Sequence, residues 1–321
     1  MPAYIARRLA YSIPVLLIAS FLLFAFVRAT FDPTARLRAS RDPNAVQRER
    51  ERLGLDRPVV VQYKQWLVKF VQGDWGESSR TRERVLPMVK RAMWNTLQLI
   101  GWGVLVSTVL AVAIGVFSAV RQYSLADFAF TSASFVGLAM PPFWFGLIAI
   151  QFLAVYPKDW FHLARTPLFF VGLHSTSGAG LGDYARHLVL PVMTLTVQIV
   201  AAWSRYERAS MLDALNADYV RAAKAKGLSP RAVVFKHALR NALMPLVTVM
   251  ALDIGALFGG LIITESIFSI PGMGRLFFDA LIQGDTNVLV VWTVLTAGFV
   301  IVFNLLADVL YGVLDPRIRY S

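Results

Sequence analysis

The chain has 321 residues, of which 56% are hydrophobic and only 16% charged, with a mean hydropathy of +0.55. That composition excludes an ordinary soluble domain, where about a quarter of the residues are charged, and points to a membrane protein. The net charge of +12 comes with no zinc spacing and no aromatic-interleaved basic stripe, so it reads as topology and anionic headgroups rather than nucleic acid; with no cysteine there is no disulfide, thiolate nucleophile or Cys-ligated metal.

A bilayer core needs about 20 mostly apolar residues in helical form. Six segments qualify, at about 9–28, 96–120, 128–155, 187–204, 243–266 and 287–313. A barrel would alternate with period two, and "LQLIGWGVLVSTVLAVAIGVF" does not. The predicted class is an all-α integral membrane protein with six transmembrane helices, a cytosolic helical hairpin and a small soluble outer segment.

In chain order, Arg7 and Arg8 precede the first span and place the N-terminus in the cytosol. Six crossings return the C-terminus, with Arg317 and Arg319, to the same side. A cleaved signal peptide is disfavoured, because the apolar run is too long and no A-x-A site follows. The outer segment 29–95 reads as two helices around a Gly-Leu-Asp-Arg-Pro break, then a "GDWGES" turn. It is either a cap on the outer mouth or a docking surface for a delivery protein. Pro141 and Pro142 should kink or break the third span.

Between spans four and five, 205–242 is charged. A first helix is expected over about 205–226. Gly227 suits the left-handed C′ position, Ser229 an N-cap and Pro230 the first position of a second helix, which merges into the fifth span. Small residues (Ala222, Ala223, Ala225, Gly227) line the turn, ringed by Lys224, Lys226 and Arg231. A basic helix on the inner leaflet would need large apolar residues there. A DNA-binding helix-turn-helix does not suit two flanking spans. A hairpin that inserts into a groove of another protein fits better.

Among polar groups within the spans, Asp253 is a functional candidate by position: it could receive a peptide's α-amino group or pair with a neighbouring helix. Gln98, Gln198 and Asn304 are weaker path candidates, since lone amides often bond between helices. Glu265 closes the fifth span, where it could contact the 271–275 turn or a delivery protein. Gly259 and Gly260 suit close packing or flexing.

The residues 221–245, "RAAKAKGLSPRAVVFKHALRNALMP", resemble the EAA loop of importers in the ATP-binding-cassette (ABC) superfamily. Ala222, Ala223, Gly227 and Pro245 keep the pattern. Arg221 replaces its glutamate, as is common in the dipeptide and oligopeptide permease branch. "GDWGES" (73–78), "MPPFWFG" (140–146), "ESIFSIPGMGRL" (265–276) and "DVLYGVLDPRIRY" (308–320) resemble further motifs of that branch, in order along nearly the whole chain. "FDPTA" departs from its usual Pro-Gly-Asp-Pro turn. The long segment after the first span resembles the B-type subunit rather than the C-type.

The resemblance implies a permease subunit with a MetI-like transmembrane domain, in a bacterial inner membrane with both termini cytoplasmic. It would form half of a peptide path with a homologous C-type subunit. Nickel, glutathione or oligosaccharides are alternative cargoes. Arg221, Ala222, Ala223, Lys224, Lys226, Gly227, Leu228, Ser229 and Arg231 would dock into one or two ABC ATPase subunits. Glu265, Pro271, Gly272 and Gly274 form the outer motif, and an extracytoplasmic binding protein would deliver substrate. No glycine is followed by lysine, so a Walker A loop is absent. ATP and Mg are expected on the partner chains, with no cofactor, metal or catalytic residue in this one. His162, His174, His187 and His237 stand at non-ligand spacings. The rival classes are a stand-alone secondary transporter, which would want inverted repeats and several intramembrane charges, and a purely structural assembly subunit.

Overall fold

The computed structural model describes residues 2–32, 34, 44–175 and 180–314. Among the described residues there is no strand, and helices supply the whole framework. The arginines at 317 and 319, the chain ending at 315–320 and most of the turn after the first span lie outside the described residues.

Helix α1 (Pro2–Thr30) carries the first apolar run, Ala10–Thr30. It exposes Val15, Ile18, Leu22 and Phe26 on one side. That surface is what a helix facing hydrocarbon presents. On its other side Phe24 and Val27 pack with Val288, Leu289 and Val291 of α14 (Thr286–Leu314), so the first and last helices are neighbours. The segment between α1 and the second span folds into α2 (Ala45–Leu53) and α3 (Val59–Val71). Gly54, at φ +62°, ends α2, and Pro58 starts α3.

Helix α4 (Val85–Val120) begins eleven residues before the expected 96, with Pro87 tolerated in its first turn. At 1.5 Å per residue it is about 54 Å long, well beyond a bilayer core. The third span, expected over 128–155 with a kink or break at Pro141 and Pro142, is broken there. Helix α5 (Leu125–Ala139) stops at Met140, and α6 (Pro142–Ile150) restarts at an angle. The bend between the two halves is 104°. Consecutive prolines remove two backbone donors and push the preceding residue out of the helical region, so the ladder cannot cross the break. A π-helical turn, Gln151–Val155, leads into α7 (Tyr156–Trp160).

The expected boundary at 204/205 is corrected, because α8 (Leu181–Asn216) runs through both segments as one rod. From 192 to 216 it contains no glycine or proline, and charged residues such as Arg205 and Arg208 are good helix formers. The first helix of the hairpin is therefore only the short α9 (Asp218–Ala225). After the turn come α10 (Pro230–Ala232), a π-helical stretch Val233–Ala238 and α11 (Leu239–Gly260). The fifth span, expected to reach 266, stops at Gly260, and α12 (Ile262–Ile267) and α13 (Met273–Gln283) follow before α14.

Four apolar clusters lie along the bundle, a small one over Ala111, Trp203 and Leu246 and three larger ones. One of the larger, over Val85, Val89, Phe24 and Val288–Val291, joins α1, α4 and α14 at their ends away from the hairpin. A second, over Leu99, Leu190, Leu195, Phe258 and Phe268, holds α4, α8, α11 and α12. The third holds the hairpin. Helices α4 and α8 approach closely because α4 carries small residues at the contact. A Cβ on Gly115 would stand 2.7 Å from the Glu207 side chain and 2.9 Å from the Ser204 carbonyl oxygen. Small residues at helix contacts substitute for the missing hydrophobic drive within lipid. Gly259 serves α11 and α14 likewise, where a Cβ would meet Thr296 at 2.8 Å.

Candidate functional site: the hairpin, the broken span and the outer latch

The hairpin is built by two caps. Gly227 sits at φ +77°, which a Cβ would disfavour. Its N–H donates to the Lys224 carbonyl (3.0 Å) and the Leu228 N–H to the Ala223 carbonyl (3.4 Å), the paired bonds of a Schellman stop. Ser229 accepts from the Ala232 N–H at 3.3 Å and Pro230 opens the next helix. Val220 and Ala223 are buried against Met211 and Ala214 of α8 and against Val233 and Ala238. Ala223 thus serves the chain's own packing. Arg221, Ala222, Lys224, Lys226, Gly227, Leu228, Ser229 and Arg231 are all exposed, and Arg221 pairs with Asp218. The result is a blunt basic knob with small residues at its tip. Its internal face is fixed to α8 through one non-helical residue, Ala217.

Within the bundle, Trp203 of α8 donates its Nε1–H to Asp253 Oδ2 of α11 at 2.7 Å, and Asp253 is half-buried. The carboxylate therefore holds two helices together, and its other oxygen has no hydrogen-bond partner among the described residues. Gln198 donates to the Met140 carbonyl at 3.1 Å. That carbonyl lies at the break of the third span, where a helical donor is missing, and the amide supplies one from α8. Gln98 donates to the Trp94 carbonyl of its own helix, and Asn304 is exposed on α14.

Two groups absent from the sequence reading stand near the hairpin. Arg208 of α8 grips Asp127 of α5 with two bonds of 2.8 Å, from Nε and an Nη. Asp127 also accepts from the Tyr123 N–H at 2.9 Å, while its own N–H donates to Ser124 (3.2 Å). The Ser124-x-x-Asp127 spacing is a capping signal legible in sequence, but its arginine partner lies 81 positions on. Next to it, Glu207 is fully buried against α4, and neither carboxyl oxygen has a hydrogen-bond partner among the described residues. Arg205 stacks over Phe135 with its guanidinium 4.4 Å from the ring centre.

At the other end, Glu265 is fully buried in α12. Thr96 of α4 donates to its Oε1 at 2.6 Å, and the Arg275 N–H to its Oε2 at 3.0 Å. The carboxylate thus caps the N-terminus of α13, where the helix dipole favours an anion. A Cβ at Gly272 would stand 2.2 Å from it, so glycine is required there by space alone. Asn95 donates to the Pro271 carbonyl (3.0 Å), and Trp292 to that of Met273 (2.8 Å). The "GDWGES" turn docks beside this latch: Ser78 donates to Asp285, and Asn287 donates to the Glu77 carbonyl at 2.9 Å. Among the described residues no three His, Asp or Glu side chains gather into a metal-binding group.

A multi-span helical bundle with a kinked third span, a rigid basic knob on one end and a glutamate-capped latch on the other defines a membrane transport subunit rather than a membrane-anchored soluble protein. The comparisons make this specific: the chain belongs to the family of binding-protein-dependent transport system inner membrane components. The family model for that component matches residues 111–320, and the model for its N-terminal part matches residues 1–99. Among curated relatives, it is 43% identical over 329 residues to the oligopeptide transport system permease protein AppB of Bacillus subtilis, each chain fully covered. It is 38% identical over 341 residues to the di/tripeptide transport system permease protein DppB of Pseudomonas aeruginosa, again over the whole of both chains. Full-length similarity at 37% identity extends to the oligopeptide transport system permease protein OppB of Mycobacterium tuberculosis. The chain is a multi-pass permease subunit of the peptide-permease branch of ABC importers.

Proposed function

We propose that this chain forms one half of the translocation path for di- or oligopeptides across a bacterial inner membrane. It pairs with a homologous C-type subunit and takes its energy from separate ATPase chains. The observation that carries the reading is the hairpin: an exposed, doubly capped knob continuous with α8 and α11. ATP and Mg belong on the partner ATPases, and this chain is non-catalytic. Both termini and the knob lie in the cytosol, as the arginines flanking the first span favour. A soluble binding protein delivers substrate to the opposite side.

Closure of the ATPases displaces the knobs, and α8 and α11 carry that displacement into the membrane. The path alternates between two arrangements because each ligand favours one of them, with no chemical step at this chain. Asp253 is the candidate receiver of a peptide α-amino group, since one carboxylate oxygen is held by Trp203 and the other is not; Gln198 and Gln98 are secondary candidates. The peptide-permease relatives favour peptide cargo over nickel, glutathione or oligosaccharide.

The test is to purify the tagged chain from native membranes in mild detergent and identify what accompanies it. An ABC ATPase and a second six-span subunit are the expected companions. A stable chain free of any ATPase would overturn the reading and favour a stand-alone transporter.

A further inference from the structure

Helix α3 belongs to a segment whose composition reads as soluble, yet its contacts place it beside the interior of a span. The Tyr63 hydroxyl lies 2.6 Å from Ser20 Oγ and donates to the Leu17 carbonyl at 3.3 Å. Both partners stand near the middle of the apolar run Ala10–Thr30. Ser20 is about 12 Å below Arg28 along the helix axis at 1.5 Å per residue, most of the way to the centre of a core about 30 Å thick. The Tyr63 ring also packs edge-on against Phe21 and Phe24, with centroids 5.3 and 5.6 Å apart. Trp66 and Phe70 continue this face outward, stacking toward Trp75.

The opposite face of α3 is apolar as well. Val60, Val61, Val68 and Val71 recur at helical spacing on one side, and Val60, Val68 and Val71 are 64%, 50% and 78% exposed. A helix in water has no reason to present four valines together. Lys64 is the charge on this stripe, and its long stem can carry the ammonium to the headgroups.

We propose that α3 is half-immersed in the outer leaflet, with the Val60–Val68–Val71 face in contact with phospholipid acyl chains. A partner protein is the other candidate occupant, and the residue types argue against it. The tight helix approaches at Gly115 and Gly259 use small residues, whereas the α3 stripe has no glycine, alanine or serine, and the Tyr63–Ser20 contact seats α3 at the depth where hydrocarbon surrounds the exposed side of α1. Only the choice of leaflet rests on the orientation proposed above, and immersion holds for either side. The segment then anchors α1 at the membrane boundary in addition to whatever it docks.

The chain has no native cysteine, so single reporters are clean. Val60→Cys, Val68→Cys and Val71→Cys, each labelled with the fluorophore NBD, are to be reconstituted in the assembled transporter in phosphatidylcholine vesicles, with Gln47→Cys on α2 as the aqueous control. Cysteine is a small apolar replacement at these exposed sites, so folding should be kept. Labels at the three valine positions should lose about half of their fluorescence to acyl-chain nitroxide lipids and resist iodide, the pattern of a helix lying in the boundary. Iodide quenching at all three positions would place the face in water and overturn the proposal. Protection from both quenchers, relieved when the second permease subunit is left out, would overturn it in favour of a subunit interface. Because these readouts require no transport, they stand apart from the assignment of cargo.

Discussion

Arg208 and Glu207 are adjacent in sequence and opposite in their electrostatics. Arg208 closes a bidentate pair with Asp127, whose side chain is 4% exposed, and so ties the start of α5 to α8 just before the hairpin. Charge-assisted bonds of this geometry are the strong ones. Arg208→Gln should cost about 2 kcal/mol and lower the melting temperature of the purified complex. Adding Asp127→Asn should restore part of the loss, because the second change removes the stranded charge. Full additivity of the two losses would show that the pair is not coupled. Glu207 is the converse case, a buried carboxyl without a hydrogen-bond partner among the described residues. Replacing an unpaired polar group by an apolar one of similar size removes a penalty rather than a contact. Glu207→Met should therefore leave the melting temperature unchanged or raise it, and a clear drop would mean that the carboxyl has a partner in the assembled transporter.

At the scale of elements, the third span is two half-helices set at 104°, with an unpaired carbonyl at Met140 that Gln198 fills. Gln198→Leu should leave that carbonyl unmet inside the membrane at a cost of about 1 kcal/mol, in the range measured for interhelical bonds in bilayers. Thermal unfolding of the variant checks this; an unchanged melting temperature would show that the break does not need the amide. The break itself was legible, because two consecutive prolines act locally whatever surrounds them. So were the stop at Gly227 and the start at Ser229, each set by the residue's own backbone preference. The boundary drawn at 204/205 was not, because it followed polarity, and a helix ends where its backbone hydrogen bonds end rather than where its side chains become charged. The partners of Gln198 and Asp253 were also beyond reach, since pairs 58 and 50 positions apart are fixed by packing and leave no periodic signal. The depth of α3 escaped for a related reason: its valines read as a short surface helix until Tyr63 is seen to reach Ser20.

For the whole molecule, the knob is the point where a small change should separate insertion from transport. Gly227→Asp adds a charge and a Cβ at φ +77°, and among the described residues nothing beyond its chain neighbours lies within 4 Å of that Cβ. The fold should survive with local strain of about 1 kcal/mol, while docking of the ATPases is blocked. Membrane abundance should match the wild type and peptide uptake should fall to background. Normal uptake at equal abundance would remove the hairpin from the coupling route.

The packing of α1 on α14 sets a schedule for making the protein. The two faces that meet, Phe24 and Val27 with Val288 to Val291, are separated by almost the entire chain. At about 5–20 residues per second, a ribosome needs roughly 15–50 s to deliver the second face after the first. Through that interval α1 must stay in the bilayer without α14, held only by the early contacts of α3 and α4, and in the finished fold only 17% of its apolar window is buried. Its mean hydropathy of 2.3 suits it to wait largely in lipid. A helix made near the end of this schedule, α14, is thus the one that completes the docking of the first.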